Sequence, residues 1–205
     1  EEASAEINMA LGLDADSYEV NRSAGYLSYR QQQLEDAIRY WEKASTLLET
    51  DINSPGMLLS CYRAVGNSEG RLRAARLALA RSEKVLAQDP NNATVMGYSV
   101  YALGALGDAE RAKERMKRAL LVDPDNWNMR YNFACVLLIS LNEIDAALDM
   151  VAPELERATI SRLNHVKVDP DFAAVRDHPR YKAMIAAAEA RLATESHGGA
   201  STMNA

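Results

Sequence analysis

Gln88-Asp89-Pro90-Asn91-Asn92 returns as Val122-Asp123-Pro124-Asp125-Asn126, with its proline 34 residues further on. Each copy is a helix stop and a helix start within five residues. Proline cannot continue the helix before it, and the Asn and Asp residues behind it can cap the next one. Between the two turns lie two amphipathic segments separated by Leu106-Gly107-Asp108. The unit is therefore a helix hairpin of about 34 residues, and a fixed period in this range marks a stack of repeats.

The same frame reaches outward in both directions. It predicts hairpins starting near Tyr18, Ile52, Ala93 and Trp127, at intervals of 34, 41 and 34 residues. Small residues stand where two helices must approach closely: Ala37 and Ala44, Ala112 and Ala119, and Ala146. Seven residues are close to two helical turns, so each pair shares one face. Trp41, Met116 and Met150 sit between or just beyond them, and Ala3, Ile7 and Ala10 repeat the pattern. Residues 3–14 are accordingly predicted to be the second helix of a partial repeat.

The seven extra residues of the middle interval fall between Asn67 and Gln88, where Leu72, Leu79 and Leu86 recur every seven. Seven residues turn a helix by roughly 700°, about 20° short of two turns, so the buried face is kept. One helix about 10 Å longer than its neighbours is predicted here, not an inserted loop. Gly70 is predicted to weaken its start. Pro153 is predicted to kink or end the second helix of the last repeat.

Four and a half hairpins in one frame resemble the tetratricopeptide repeat family over roughly residues 3–155. The resemblance implies an all-α fold, a right-handed α-solenoid of helix hairpins closed by a C-terminal helical cap. In that frame the array covers 1–160, with a half repeat at 3–14 and repeats at 18–51, 52–92, 93–126 and 127–160. The chain departs from the family pattern at the aromatic that opens each first helix, where Asn21, Pro55, Met96 and Arg130 stand. The closing proline is present at Pro90 and Pro124 and replaced by Ala15 and Glu49 elsewhere.

Asp169-Pro170-Asp171-Phe172 reads as a cap followed by proline in a first turn. Asp177-His178-Pro179 starts another helix, and Tyr181, Met184, Ile185, Ala188 and Leu192 keep helical spacing. Residues 161–194 are predicted to be capping helices that bury the last apolar face of the stack. Residues 195–205, with Gly198-Gly199 among small polar neighbours, are predicted to be a disordered tail. The chain opens on Glu1-Glu2-Ala3 inside an amphipathic pattern, as a piece of a longer protein would.

A narrower resemblance covers roughly residues 18–192. Gly70-Arg71-Leu72-Arg73-Ala74-Ala75-Arg76-Leu77 on the long helix is followed by the Asp-Pro turn, Tyr131-Asn132-Phe133-Ala134-Cys135 and Asp169-Pro170-Asp171-Phe172. Together with Asp177-His178-Pro179-Arg180-Tyr181, these are similar to C-terminal repeat regions of bacterial signalling proteins with a TolB-like segment. Such regions follow class III adenylate or guanylate cyclase, kinase or DNA-binding domains. The resemblance implies a regulatory or scaffolding part of a larger bacterial signalling protein, with any cyclase activity outside this chain.

The composition, 48% hydrophobic and 25% charged, is that of a globular chain with a core. The formal charge of −6 argues against nucleic acid as a partner. The longest apolar run, Phe133 to Ile139, is far short of a membrane span. Cys61 and Cys135 are the only cysteines and form no CxxC pair, which points to a reducing, cytoplasmic setting. They lie two repeats apart, too distant for a bond within the chain.

Little in the sequence suggests chemistry. His165, His178 and His197 lack metal-ligand spacing, so neither a metal nor another cofactor is expected. The Asp-x-Asp pairs at Asp14, Asp123 and Asp169 fall at turns, where capping explains them. Neither a phosphate-binding glycine loop nor a nucleophile elbow is present, so no catalytic residue is assigned.

Tyrosines carry more information. Nine of the aromatics are Tyr, and Tyr18, Tyr26, Tyr29, Tyr62, Tyr98, Tyr101 and Tyr131 fall on first helices. The family resemblance implies that first helices line a concave groove. The expected groove set is Arg22, Tyr26, Tyr29, Arg30, Ser60, Arg63, Tyr101, Asn128, Tyr131 and Cys135, with Tyr98 and Asn132 at the margin. Tyr and Arg are enriched where a few side chains carry most of the binding energy. The expected partner is a protein or peptide; the bland alternative is that these rings only pack between helices. Tyr26 stands where the chaperone-tail receptors of the family carry Asn, which argues against that ligand.

Arg71, Arg73, Arg76, Arg81 and Lys84 against Glu69 and Glu83 give the long helix a candidate basic face, which could steer an acidic partner or be only a solvated surface. Self-association through the end faces or the long helix is the alternative function.

Overall fold

A computed structural model describes the backbone of residues 2–201 and the side chains of 5–7 and 9–195. Among the described residues every regular element is helical. The chain forms two compact units, Glu1–Pro124 and Asp125–Ala205, divided inside the second Asp-Pro turn. The fourth hairpin thus groups with the C-terminal helices, where the repeat frame ran the array on to residue 160.

The first unit is a stack of hairpins. A single helix α1 (Glu2–Leu13) precedes three pairs: α2 (Tyr18–Arg30) with α3 (Leu34–Leu47), α4 (Asn53–Ala64) with α5 (Ser68–Gln88), and α6 (Ala93–Leu106) with α7 (Ala109–Val122). Each helix packs on the next, and α4 also touches α6, the first helix of the following pair. Ala37, Ala44, Ala112 and Ala119 have no exposed surface, as close helix approach requires. Trp41, equally buried, fills the space between α2 and α3, and its indole N–H donates to the Arg22 carbonyl at 3.3 Å.

Five helix starts in this unit are chemically marked, whereas Gln33, before α3, makes no side-chain cap. Ser17, Asn67, Asn92 and Asp108 each accept a hydrogen bond from a backbone N–H three residues on. Asp51 does the same for α4, accepting from the N–H groups of Asn53 and Ser54. The extra seven residues lie within α5, an unbroken helix of 21 residues against 14 in α3 and α7. Gly70 has a packing role there: a Cβ at Gly70 would lie 2.6 Å from the Tyr62 ring.

The second unit pairs α8 (Trp127–Val136), continued by a π-helical turn Leu137–Leu141, with α9 (Ile144–Leu155). Pro153 is inside α9, which ends two residues later. Next come α10 (Ile160–Val168), a 3-10 turn Pro170–Val175 and α11 (Pro179–Ser201). The 3-10 turn packs on the π-helical turn, and α11 on α9 and α10. Tyr131, Phe172 and Tyr181 form a stacked ladder at 5.4 and 6.1 Å, which closes this core. Helix α11 runs past residue 195, where a disordered tail was predicted to begin; residues 202–205 of that tail lie outside the described residues.

All four hairpin turns contain one residue in the left-handed region: Gln32, Gly66, Gly107 and Asn142. Their spacings are 34, 41 and 35 residues. The 41 is the lengthening of α5. The 35 is one residue over the period, and the π-helical turn absorbs it, since one extra residue per turn is what a π-bulge accommodates.

Candidate functional site

Three first helices of the first unit are joined by a chain of polar side chains. The Tyr26 hydroxyl on α2 donates to Asn53 Oδ1 on α4 at 2.7 Å. Asn53 Nδ2 in turn donates to the Tyr98 hydroxyl on α6 at 2.6 Å. Tyr98 therefore receives a hydrogen bond and retains its own O–H as a donor. Its ring lies over Gly56, where a Cβ would come within 2.8 Å of Tyr98 Cδ1. Only glycine lets the ring sit so close to α4.

Asn53 is held from below. Asp51 accepts its backbone N–H at 2.9 Å, which fixes the first turn of α4. Tyr18 lies beside Asp51, and its phenol is raised to about 12, first by burial and then by the Asp51 carboxylate. Tyr26 meets Trp41 edge-on at 5.3 Å, and Tyr29 lies tilted at 5.7 Å. Both rings are half-buried, as are Tyr98 and Tyr101. Each tyrosine thus packs at its base and shows part of its ring, so packing and exposure coexist at these positions.

The charges of this row are one-sided. Helix α2 carries Arg22, Arg30 and the single acid Glu19; α4 carries Arg63; α6 carries no charged residue. Arg22 pairs with Glu19 at 3.0 Å, and that hydrogen bond holds the guanidinium above its ordinary value. Arg30 and Arg63 are exposed, and Ser60 is half-buried.

Four residues expected in the groove belong to the second unit. Asn128 is exposed and Asn132 half-buried. Tyr131 and Cys135 are buried and are not on an open surface. The reason for Tyr131 lies 38 residues away: its hydroxyl donates to Asp169, its ring stacks on Phe172, and the Arg162 guanidinium lies 4.1 Å over its centre. Burial first, then the Asp169 bond, pushes its phenol far up.

The basic helix face also changes character. Arg81 donates to the carbonyls of Asp51 and Ser45, so it is a structural tie, not an open cation. Arg73 pairs with Glu69 at 3.0 Å. Arg71 is half-buried, and burial, then the neighbouring Arg63, lowers its guanidinium. Arg76 and Lys84 are exposed.

Asn53 and Gly56, central to the polar chain, have no signature in the repeat frame. Two small clefts lie elsewhere in the first unit. One, of about 250 Å³, is lined by Ile7, Gln31, Gln33 and Tyr40; the other, of about 190 Å³, by Glu83, Pro90, Arg115 and Arg118. Both fall below the usual size of a small-molecule site. Among the described residues no group of His, Cys, Asp and Glu could hold a metal ion, and no helix is long and apolar enough to cross a membrane.

No protein-family model matches the chain, and no curated protein matches it significantly. Among solved structures it is similar to a crystal structure of MamA, at 16% identity and a TM-score of 0.48, over 74% of this chain and 84% of that one. A second MamA structure, from AMB-1, is 20% identical with a TM-score of 0.44, covering 76% and 82%. A further crystal structure of the MamA protein is 16% identical with a TM-score of 0.47, covering 88% and 96%. The fold described above rests on the helix pairing itself.

Proposed function

We propose that the chain is a non-catalytic interaction scaffold and that the first-helix row of its first unit docks an extended peptide or helix of a partner protein. One observation carries this reading: the Tyr26–Asn53–Tyr98 chain spans three repeats and ends on a hydroxyl with a proton left to give. Side chains already fixed by such a chain lose little entropy when a ligand arrives. A peptide backbone supplies the carbonyl acceptors that Tyr98 can meet. The resemblance of the Gly70–Leu77, Tyr131–Cys135 and Asp169–Phe172 stretches to bacterial cyclase-type signalling proteins supports a regulatory role beside a catalytic domain. Two buried cysteine thiols support a reducing, cytoplasmic setting.

Peptide-display selection with the full chain, followed by Asn53→Ala, Tyr98→Ala and Tyr101→Ala, tests the docking role. A loss of about tenfold or more in at least one variant is expected for a residue at a binding centre. Unchanged binding in all three rejects this face.

A second reading, self-association, is favoured by Met9 and Leu13 on α1 and Leu121 on α7, all well exposed for apolar residues. Light scattering over a concentration series separates the two, since a monomer at every concentration removes the second.

A further inference from the structure

Three glycines of the first unit stand inside helices where an aromatic ring takes the space of a side chain. A Cβ at Gly25 on α2 would collide with the Trp41 ring. One at Gly70 on α5 would lie 2.6 Å from Tyr62, and one at Gly56 on α4 would lie 2.8 Å from Tyr98. Glycine weakens a helix interior, and in each case a ring packed against bare backbone explains why it stands there.

Gly97 has no such explanation within the chain. It is the fifth residue of the 14-residue α6, well inside the helix. A Cβ there would meet nothing within 4 Å. Gly12 is equally open, but it lies in the last turn of α1, where helices fray and commonly end on glycine. Gly97 also stands 41 residues after Gly56, the interval between Ile52 and Ala93, so the two glycines hold the same place in their hairpins. The ring over Gly56 comes from Tyr98, the sixth residue of the following sequence frame. The residue at that place one frame later, 34 positions on, is Asn132, which has no ring. One turn along α6 from Gly97, on the same helix face, Tyr101 is half-buried.

We infer that Gly97 is the seat for an aromatic side chain, Trp, Tyr or Phe, of the docked partner segment, whose ring packs on the bare α6 backbone beside Tyr101. The inference rests on the docking role proposed above and adds the residue class that anchors the partner and the place where it sits. A ring in this seat approaches α6 as Tyr98 approaches α4, and the Tyr101 ring beside it adds an aromatic pair. Aromatic side chains are also the type that most often carries the energy of a protein interface.

Fluorescence anisotropy with the full chain tests it. The probes are three labelled peptide pools of about 12 residues and equal charge, one carrying Trp, Tyr or Phe, one with Leu or Met in their place, and one with Ser or Gln. The aromatic pool is expected to bind about tenfold more tightly than the aliphatic one. Gly97→Ala should weaken the aromatic pool by about fivefold and leave the aliphatic pool unchanged. It should also raise the melting midpoint by about 2–4 °C, because alanine is the better helix former. A loss of binding beside a gain of stability cannot come from a damaged fold. Gly12→Ala, at an equally open glycine, should leave both pools unchanged. Equal binding of the aromatic and aliphatic pools overturns the inference and leaves the docking role standing. An aromatic preference that Gly97→Ala does not reduce overturns the seat. A mass that rises with concentration in light scattering, and falls back with Gly97→Ala, would put a second copy's ring there and overturn the peptide partner. Failure of every pool to bind overturns the docking role and this inference together.

Discussion

Arg81, on the long helix α5, donates to the backbone carbonyl of Asp51 at 2.7 Å across thirty residues of chain. Its second arm reaches the Ser45 carbonyl at 2.8 Å, so one side chain closes the turn between two repeats. Asp51 in turn orients the first turn of α4 and with it Asn53. The long helix therefore sets the position of Asn53 and of the Tyr26–Asn53–Tyr98 chain.

Arg81→Met should cost about 2 kcal/mol, since it removes charge-assisted hydrogen bonds and leaves two carbonyls wanting. Urea unfolding followed by circular dichroism measures this. A midpoint within error of the parent would show that solvent replaces both bonds without cost.

Gln32 holds φ at 61°, a conformation that opposes a side chain and that Gly66 and Gly107 adopt at the equivalent turns. Gln32→Gly should stabilise the fold by about 0.5–1 kcal/mol, and Gly107→Ala should destabilise it by about 1 kcal/mol. Paired denaturation curves check both signs.

The Tyr62 hydroxyl donates to Glu42, and its phenol is raised to about 12 by burial first and this bond second. A raised phenol keeps its proton in the folded state after the unfolded chain has lost it. Its contribution is therefore whole below pH 10 and disappears as pH rises toward about 12. In alkaline unfolding scans, Tyr62→Phe should be less stable than the parent at pH 8 and close that gap above pH 11, as expected of about one lost hydrogen bond. A gap independent of pH would contradict this account.

The π-helical turn houses one residue more than the period requires. Deleting Ser140 should convert it to an α-turn and leave a folded chain, within about 1–2 kcal/mol of the parent. Deleting Phe133 instead rotates everything behind it by about 100° and should unfold the second unit. Far-ultraviolet spectra and thermal melts of the two deletions distinguish these outcomes.

Much of this architecture could be read from residue spacing. The Asp-Pro turns placed helix starts close to Tyr18, Asn53, Ala93 and Trp127, and the leucine spacing placed the extra length inside α5. Such features are local, and a repeat frame captures them. Tyr131 shows where the frame stops. It occupies a first-helix position like Tyr26, but residues 38 positions later fold back to cover it. Arg81 is similar: its charge was legible, whereas its use on two distant carbonyls depends on how repeats stack. Asn53 and Gly56 matter only because a tyrosine from the next repeat arrives beside them.

Surplus length in this chain is housed inside α5 and the π-helical segment, never at the four bends. Each bend thus remains a standard joint, and a whole hairpin could be spliced in or cut out there without rethreading its neighbours. For an engineer this makes Gly66 and Gly107 the natural seams for exchanging cassettes, and so for lengthening the row of tyrosines by one repeat at a time.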